Sequence, residues 1–230
     1  MTPRFSVLVP SRDRVRGLSR VIENVLLTTA GHDVEIIPVV DEPDTESIRL
    51  VESAGPLVRP VIVDASYLGR PQAKYNAGYT ASRGEWIVTG ADDITFDSNS
   101  WLDAALNVNR KGWVGLYDGV HELWAFATLV MATRQYLVTV MKGKVGLEWY
   151  HVWFADMEHS ARAQQVGAYV VCPDARFTHH HRAYDSAQND HIYELASTWY
   201  VEDDVTFQRR SRKHFPDPEP GFEVIGAQTV

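Results

Sequence analysis

Residues 5–13 read Phe5-Ser6-Val7-Leu8-Val9-Pro10-Ser11-Arg12-Asp13. A short apolar run with β-branched residues, halted by a proline, has the pattern of a buried strand, and a polar loop follows it. Downstream, Leu18, Val21, Ile22, Val25 and Leu26 recur at the spacing of one helix face. The alternation then repeats. Residues 34–40 (VEIIPVV) predict a second buried strand, residues 45–53 a weak helix, and residues 58–63 a third strand. Pro71 suits the first turn of a helix running to about Ser82, and residues 86–89 (WIVT) predict a fourth strand. Strand and helix in this order predict a doubly wound α/β fold with a mostly parallel central sheet.

The second half is less regular. A helix is expected over 101–108, strands over 113–117 and 123–132, and an amphipathic helix over 150–165 stopped by Gly167. Short strands at 169–171 and 176–178 flank Pro173, and 194–212 reads as helical. Pro216, Pro218, Pro220 and Gly221 predict an extended tail. The expectation is one domain over 1–213, with a nucleotide-binding half (1–97), a mixed α+β acceptor half (98–213), and a tail over 214–230.

Composition sets limits. The chain has 230 residues, 45% apolar and 23% charged, which excludes disorder as the main state. Cys172 is the single cysteine, so no disulfide forms within the chain, which suits a reducing, cytoplasmic setting. The apolar runs at 5–9 and 123–132 are too short for a signal-peptide core or a membrane span, so no membrane association is expected. A net charge of -8, from 22 basic and 30 acidic residues, argues against a surface that attracts nucleic acid throughout. One basic cluster, Arg209-Arg210-Ser211-Arg212-Lys213-His214, reads as a solvated helix end or as a polyanion contact.

In an open parallel sheet, ligands bind beyond the carboxyl ends of the strands. Each predicted strand of the first half is followed there by acid: Asp13, then Asp41, Glu42 and Asp44, then Asp64, then Asp92 and Asp93. Helix capping competes as an explanation at Asp13 and Asp64. Adjacent carboxylates at Asp92 and Asp93 repel unless a cation or donors lie between them, and hard cations such as Mg²⁺ and Mn²⁺ prefer oxygen ligands. No Gly-x-Gly-x-x-Gly follows the first strand and no Gly-Lys-Ser/Thr occurs, which argues against a dinucleotide fingerprint or P-loop.

The order of these motifs resembles the family 2-type glycosyltransferases of the GT-A fold. The opening strand and loop through Arg14, the Val39-Val40-Asp41 segment, and Asn76-Ala77-Gly78 with Arg83-Gly84-Glu85-Trp86-Ile87 are similar to that family's successive elements. Gly90-Ala91-Asp92-Asp93 lies where its metal-binding Asp-x-Asp belongs, and Asp156-Met157-Glu158 with Arg162 resembles the segment that carries its base. The chain departs from the pattern at Ala91, at Glu42-Pro43-Asp44 and at Ala155. The resemblance implies a GT-A fold and inverting transfer from a nucleotide-diphosphate sugar, UDP-linked for preference, with Mn²⁺ or Mg²⁺. It implies that Asp93 and His179 bind the metal and that Asp92 faces the ribose or sugar. Asp41, Pro10 and Arg12 then line the base pocket, Arg70 and Lys74 offset diphosphate charge, Asn76 belongs to the donor site, and Asp156 is the base. The acceptor is a glycan, a protein or a hydroxylated DNA base of phage type. The alternatives are a nucleotidyltransferase of related fold and a non-catalytic nucleotide- or glycan-binding module.

Phe177-Thr178-His179-His180-His181-Arg182 offers His179 first and His181 second for the site, and without cysteine partners it does not read as zinc. His159 is expected on the exposed side of its helix, and Glu158 with Arg162 as a surface ion pair. Trp149, Tyr150 and Trp153 suit a helix packing its aromatic face inward, or a stacking wall for a sugar or base.

Overall fold

The computed structural model describes residues 4–67, 69–109, 111–180 and 191–216. The alternating front half forms in the expected order, with the third strand, expected over 58–63, confined to 61–63: β1 (Phe5–Ser11), α1 (Val15–Thr28), β2 (Val34–Asp41), α2 (Thr45–Ser53), β3 (Val61–Val63), α3 (Pro71–Ala81) and β4 (Trp86–Thr89). A short β5 (Ile94–Phe96) follows, then α4 (Trp101–Val108), β6 (Trp113–Tyr117), β7 (Leu129–Thr133), α5 (Arg134–Thr139), α6 (Ala155–Gln165), β8 (Val171–His179), α7 (His191–Thr198) and α8 (Tyr200–Ser211).

The strands form one eight-stranded sheet in the order β3-β2-β1-β4-β7-β6-β8-β5. The pairs β1–β2, β2–β3, β1–β4 and β6–β8 are parallel, whereas β4–β7, β6–β7 and β5–β8 are antiparallel. The sheet is therefore mixed, and strands from the second half extend the one begun by the first. Strand alternation divides the core into two layers. Val7, Val9, Ile36 and Val88 pack with α1 and with Trp101 of α4, while Leu8, Ile37, Val39 and Ile87 face the other way, toward α3, α5 and α6. Gly78 lets α3 lie close to the sheet, since a Cβ there would stand 3.0 Å from the Val39 side chain.

Several expectations are corrected. Residues 123–128 are not strand; β7 begins only at Leu129. The helix expected from 150 starts at Ala155, after Phe154 takes a left-handed φ of 67°. The two short strands around Pro173 are one strand, β8. Its register against β6 jumps from Leu116↔Cys172 to Tyr117↔Arg176, so residues 173–175 bulge out and Pro173 removes no ladder bond. The helix expected over 194–212 is broken between α7 and α8. His181, Arg182 and the tail beyond 216 lie outside the described residues. Among the described residues no helix is long and apolar enough to cross a membrane.

Candidate active site

A cleft of about 460 Å³ opens beyond the carboxyl ends of β1 and β4. Its wall includes Pro10 and Arg12 from the β1 exit, Asp92 and Asp93 from the β4 exit, and Arg70 and Lys74 at the start of α3. Asp156 at the start of α6, His179 at the end of β8, and α7 complete it. Five of those residues (Pro10, Arg12, Arg70, Lys74 and Asp92) were expected to hold a donor and three (Asp93, His179 and Asp156) to hold its metal or take the acceptor proton, and the fold brings them to one edge of the sheet.

The two acids of the β4 exit have different environments. Asp92 is buried, with Oδ2 accepting from Ser11 Oγ (2.8 Å) and Oδ1 from Arg14 Nη1 (3.1 Å). Burial first, and the Asp93 charge second, push its carboxyl up to about 6. Asp93 accepts from Tyr193 Oη (2.8 Å) and Arg14 Nη1 (3.3 Å), and its Oδ1 lies 3.2 Å from His179 Nε2. Burial works against its ionisation, but His179, Arg14 and Tyr193 outweigh it and hold the carboxyl low, at about 2. The Arg14 guanidinium also lies 4.3 Å over the Tyr193 ring. One arginine thus bridges the acid pair and carries the counter-charge that two adjacent carboxylates require.

Asp93 and His179 meet because β5 pairs with β8 in the register Ile94↔His179. A carboxylate oxygen and an imidazole nitrogen suit Mn²⁺ or Mg²⁺ as a donor set, Mn²⁺ better because it takes nitrogen more readily. Among the described residues no group of three His, Cys, Asp or Glu side chains gathers.

Lys74 lines the cleft, and its Nζ donates to Asp41 Oδ2 (2.6 Å) and to the Ser11 carbonyl (2.9 Å); both side chains are buried, and Asp41, expected in the base pocket, does not itself line the cleft. Burial lowers the Lys74 pKa, with Asp41 opposing the shift. Asp41 Oδ1 and Arg12 Nη1 are both buried without a hydrogen-bond partner, an acceptor and a donor left unmatched in the same region. Asn76 is placed elsewhere. Its amide clamps the 145–148 loop, with Oδ1 accepting from Val145 and Gly146 N–H (2.9 Å each) and Nδ2 donating to the Gly146 carbonyl and Glu148. The described contacts therefore tie it to the loop packed on α3, and it does not line the cleft.

On the opposite wall, Asp156 occupies the first turn of α6, where the helix dipole favours an anion. It is half-buried, and desolvation pushes its carboxyl up to about 6. Beside it, in the loop between β6 and β7, His121 also lines the cleft. His121 Nδ1 lies 2.5 Å from Asp118 Oδ2. Sequence reading passed over Arg14, His121 and Tyr193. Arg14 lay within a quoted motif, whereas nothing local marks the other two.

Two further expectations are overturned on α6. His159 is buried rather than exposed; it accepts from Trp113 Nε1 (3.1 Å), and burial drives its pKa down to about 4. Glu158 and Arg162 are not a surface pair. Glu158 is 0% exposed and accepts from Arg162, from Arg210 of α8, from Trp149 Nε1 and from Tyr150 Oη. Arg210, 1% exposed, is withdrawn from the basic cluster, whose other members stay at or near the surface. Of the three aromatics, Tyr150 is core, Trp149 stacks under Arg210 at 3.9 Å, and Trp153 lines the cleft with its Nε1 donating to the Ala196 carbonyl.

No family model matches the chain. It is 31% identical over 122 residues to an uncharacterized protein of Sinorhizobium fredii, a match spanning 50% of this chain and 13% of that protein. Among solved structures it is similar to a mannosyltransferase from Pyrobaculum calidifontis in complex with GDP-Man and Mn²⁺, with a TM-score of 0.60 and 14% identity, over 91% of this chain and 65% of that one. It is also similar to glucosyl-3-phosphoglycerate synthase from Mycobacterium tuberculosis in complex with Mn²⁺, UDP and glucosyl-3-phosphoglycerate, with a TM-score of 0.59 and 12% identity, over 94% and 82%. TarS from S. aureus, also solved with UDP, matches at a TM-score of 0.55 and 14% identity, over 73% of this chain and 56% of that one. At these identities the comparisons show the fold, which is GT-A: a mixed, mostly parallel sheet flanked by helices.

Proposed function

We propose that the protein is a metal-dependent glycosyltransferase that moves a sugar from a nucleotide-diphosphate sugar to an acceptor hydroxyl, with inversion at the anomeric carbon. The observation that carries this reading is the convergence of Asp92, Asp93, His179 and Asp156 on one cleft, at the ligand-binding edge of a GT-A sheet. The unmatched Arg12 Nη1, whose residue lines the cleft, supports a base pocket with a donor for a carbonyl of a nucleotide base. Solved neighbours of this fold were captured with GDP-Man or UDP, and with Mn²⁺.

Asp93 and His179 would hold the cation, which when bound neutralises diphosphate charge and makes it a better leaving group. Asp92 faces the ribose or sugar, while Arg70 and Arg14 supply positive charge along the diphosphate path. Lys74 is engaged by Asp41, so it shapes the base pocket and adds its charge to the same region. The acceptor oxygen forms the new bond to the anomeric carbon as the bond to the diphosphate oxygen breaks. The diphosphate leaves with that electron pair, and the acceptor proton passes to the Asp156 carboxylate. Residues 1–97 then form the nucleotide half and 98–213 the acceptor half. The acceptor is most simply a saccharide, because burial of Arg210 removes one charge from the cluster that favoured DNA.

Calorimetry with UDP and GDP, with and without Mn²⁺, tests the reading. Binding that needs the metal supports it; no binding of either nucleotide with Mn²⁺ present refutes it. Binding without turnover on any donor would favour a binding module instead.

A further inference from the structure

The segment that leads into α6 brings Trp153 to the cleft, three residues before Asp156. One buried carboxylate holds its backbone. Asp203, in the first turn of α8, accepts from the N–H groups of His151 (2.9 Å), Val152 (2.8 Å) and Trp153 (2.8 Å), and its Oδ1 lies 3.1 Å from His151 Nδ1. Three successive donors on one carboxylate fix the direction in which the Trp153 side chain leaves the chain. The indole is tied again at Nε1, which donates to the Ala196 carbonyl of α7 (2.8 Å). Tyr200 meets it edge-on at 5.5 Å, and Trp199 stacks flat on His151 at 3.9 Å. Trp153, Trp199 and Tyr200 all line the cleft, so this side of it is an aromatic wall fixed from α7 and α8.

The positive charges of the cleft lie elsewhere. Among the described residues its lysine and arginine lining is Arg12, Arg14, Arg70 and Lys74, which come from the β1–α1 loop and the start of α3. The segment before α6, the β6–β7 loop and α7 contribute none to the described lining. An anion held against the aromatic wall would face the Asp156 carboxylate with no lysine or arginine of that wall to balance it.

We propose that this wall is an acceptor subsite for an uncharged glycoside, which stacks a flat apolar face on Trp153 and turns a free hydroxyl to Asp156. This rests on the glycosyltransferase reading. The C–H face of a pyranose and the ring of an aromatic aglycone present the same chemistry, a flat apolar surface next to hydroxyl groups. An indole gives such a surface a large contact area, and because its Nε1 is already engaged by Ala196 it asks for no hydrogen bond in return.

Calorimetry tests the subsite on protein saturated with Mn²⁺ and with UDP or GDP, whichever binds. The neutral probes are the methyl and phenyl glycosides of glucose, galactose and mannose, and the anionic probe is glucose 6-phosphate. At least one neutral glycoside should bind in the millimolar range, with glucose 6-phosphate about tenfold weaker or worse. A phenyl glycoside that binds tighter than its methyl partner assigns the stacked face to the aglycone, and equal affinity assigns it to the pyranose; either supports the proposal. Trp153→Phe keeps an aromatic face, whereas Trp153→Leu keeps only apolar volume. The phenylalanine variant should hold the glycoside within about threefold of the parent and the leucine variant should weaken it about tenfold, with nucleotide affinity unchanged in both. Leucine binding the glycoside as well as the parent does, or phenylalanine binding it as weakly as leucine, overturns the proposal, because the ring face would then not be what is recognised. Nucleotide affinity that falls as far as glycoside affinity overturns it too, by making Trp153 a support of the whole cleft. So does glucose 6-phosphate binding as tightly as the neutral probes, or no neutral glycoside binding at about 20 mM to a parent that binds nucleotide. Failure of the parent to bind either UDP or GDP is a different result and refutes the glycosyltransferase reading itself.

Discussion

Replacing Glu158 by glutamine removes one charge from the most enclosed ionic group of the fold. The carboxylate is 0% exposed and receives both Arg162 (Nε 2.9 Å, Nη2 2.7 Å) and Arg210 (Nε 2.8 Å, Nη2 2.8 Å). Glutamine fills the same space but offers a single acceptor oxygen, so two buried guanidiniums face a neutral amide. Breaking a buried pair by removing one partner costs about 3–5 kcal/mol. At roughly 2 °C per kcal/mol for a chain of this size, the melting temperature should fall by about 6–10 °C. The loss is electrostatic rather than one of packing, so a triple variant with Glu158→Leu, Arg162→Met and Arg210→Met should melt within a few degrees of the parent. Acid should act like the mutation. Burial alone would raise the Glu158 pKa, but Arg210 and Arg162 pull it below its ordinary value of 4.5. A depressed carboxyl contributes its stability above pH 4.5 and loses it as pH falls through the lower folded-state value. The parent should therefore lose stability below about pH 4, and the glutamine variant less steeply. Thermal melts from pH 3 to 7 measure both effects. A glutamine variant that melts within 2 °C of the parent at pH 7 would mean that the two arginines are solvated and the network is not what docks α8 on α6.

Other consequences are more direct. Asp93→Ala should abolish Mn²⁺-dependent nucleotide binding in calorimetry while leaving the circular dichroism spectrum unchanged, and Mn²⁺-dependent binding at the parent's affinity would place the cation elsewhere. Asp156→Asn should bind UDP and Mn²⁺ normally but transfer about 10²-fold more slowly, the scale a general base contributes. Because burial raises the Asp156 carboxyl to about 6 and a base works only when ionised, the parent's rate should rise with pH through about 6, and that limb should vanish in the asparagine variant. Gly146→Ala places a Cβ 1.8 Å from the Gln72 carbonyl oxygen, so the loop clamped by Asn76 must move, at a cost of about 3 kcal/mol read as a lower melting temperature.

The front half was legible because its signals are local. Val7-Leu8-Val9 is apolar on both faces, as a strand covered by helices on each side must be, and Asp44 announces α2 by accepting the Ser47 N–H (3.1 Å). The second half failed where apolar character served a surface. Leu123-Trp124-Ala125-Phe126 looks like strand, yet Trp124 is 75% exposed and Phe126 lines the cleft. On α6 the misreading has the opposite cause. Polar Glu158 and His159 sit inside because each has a partner distant in sequence, Arg210 being 52 residues from Glu158 and Trp113 46 residues from His159, and Arg162 is drawn in by its bonds to Glu158. No helical periodicity records such partners. Among site residues, the acids at strand ends were readable from topology alone, whereas Tyr193 reaches Asp93 across 100 residues.

The pairing of Asp93 with His179 shows why composition cannot replace register. His179 and His180 are chemically equal, and strand alternation sends them to opposite sides. In the register Ile94↔His179, His179 reaches Asp93 while the His180 ring lies 3.0 Å from Thr95 Oγ1. A slip of one residue would exchange them and take the imidazole away from the acid. A three-residue edge strand has little to resist such a slip by itself, so its register depends on side chains from elsewhere. Asn24 of α1 supplies them, its Oδ1 accepting from Phe96 N–H (2.7 Å) and its Nδ2 donating to the Phe96 carbonyl (3.1 Å), which occupies both outward backbone groups of that residue. Phe96 in turn stacks on Trp101 at 3.9 Å, and Thr178 donates to Asp97 (2.9 Å). The proposed cation site is thus fixed by an asparagine and a tryptophan on the opposite face of the strand, residues with no chemistry of their own to offer a sugar nucleotide.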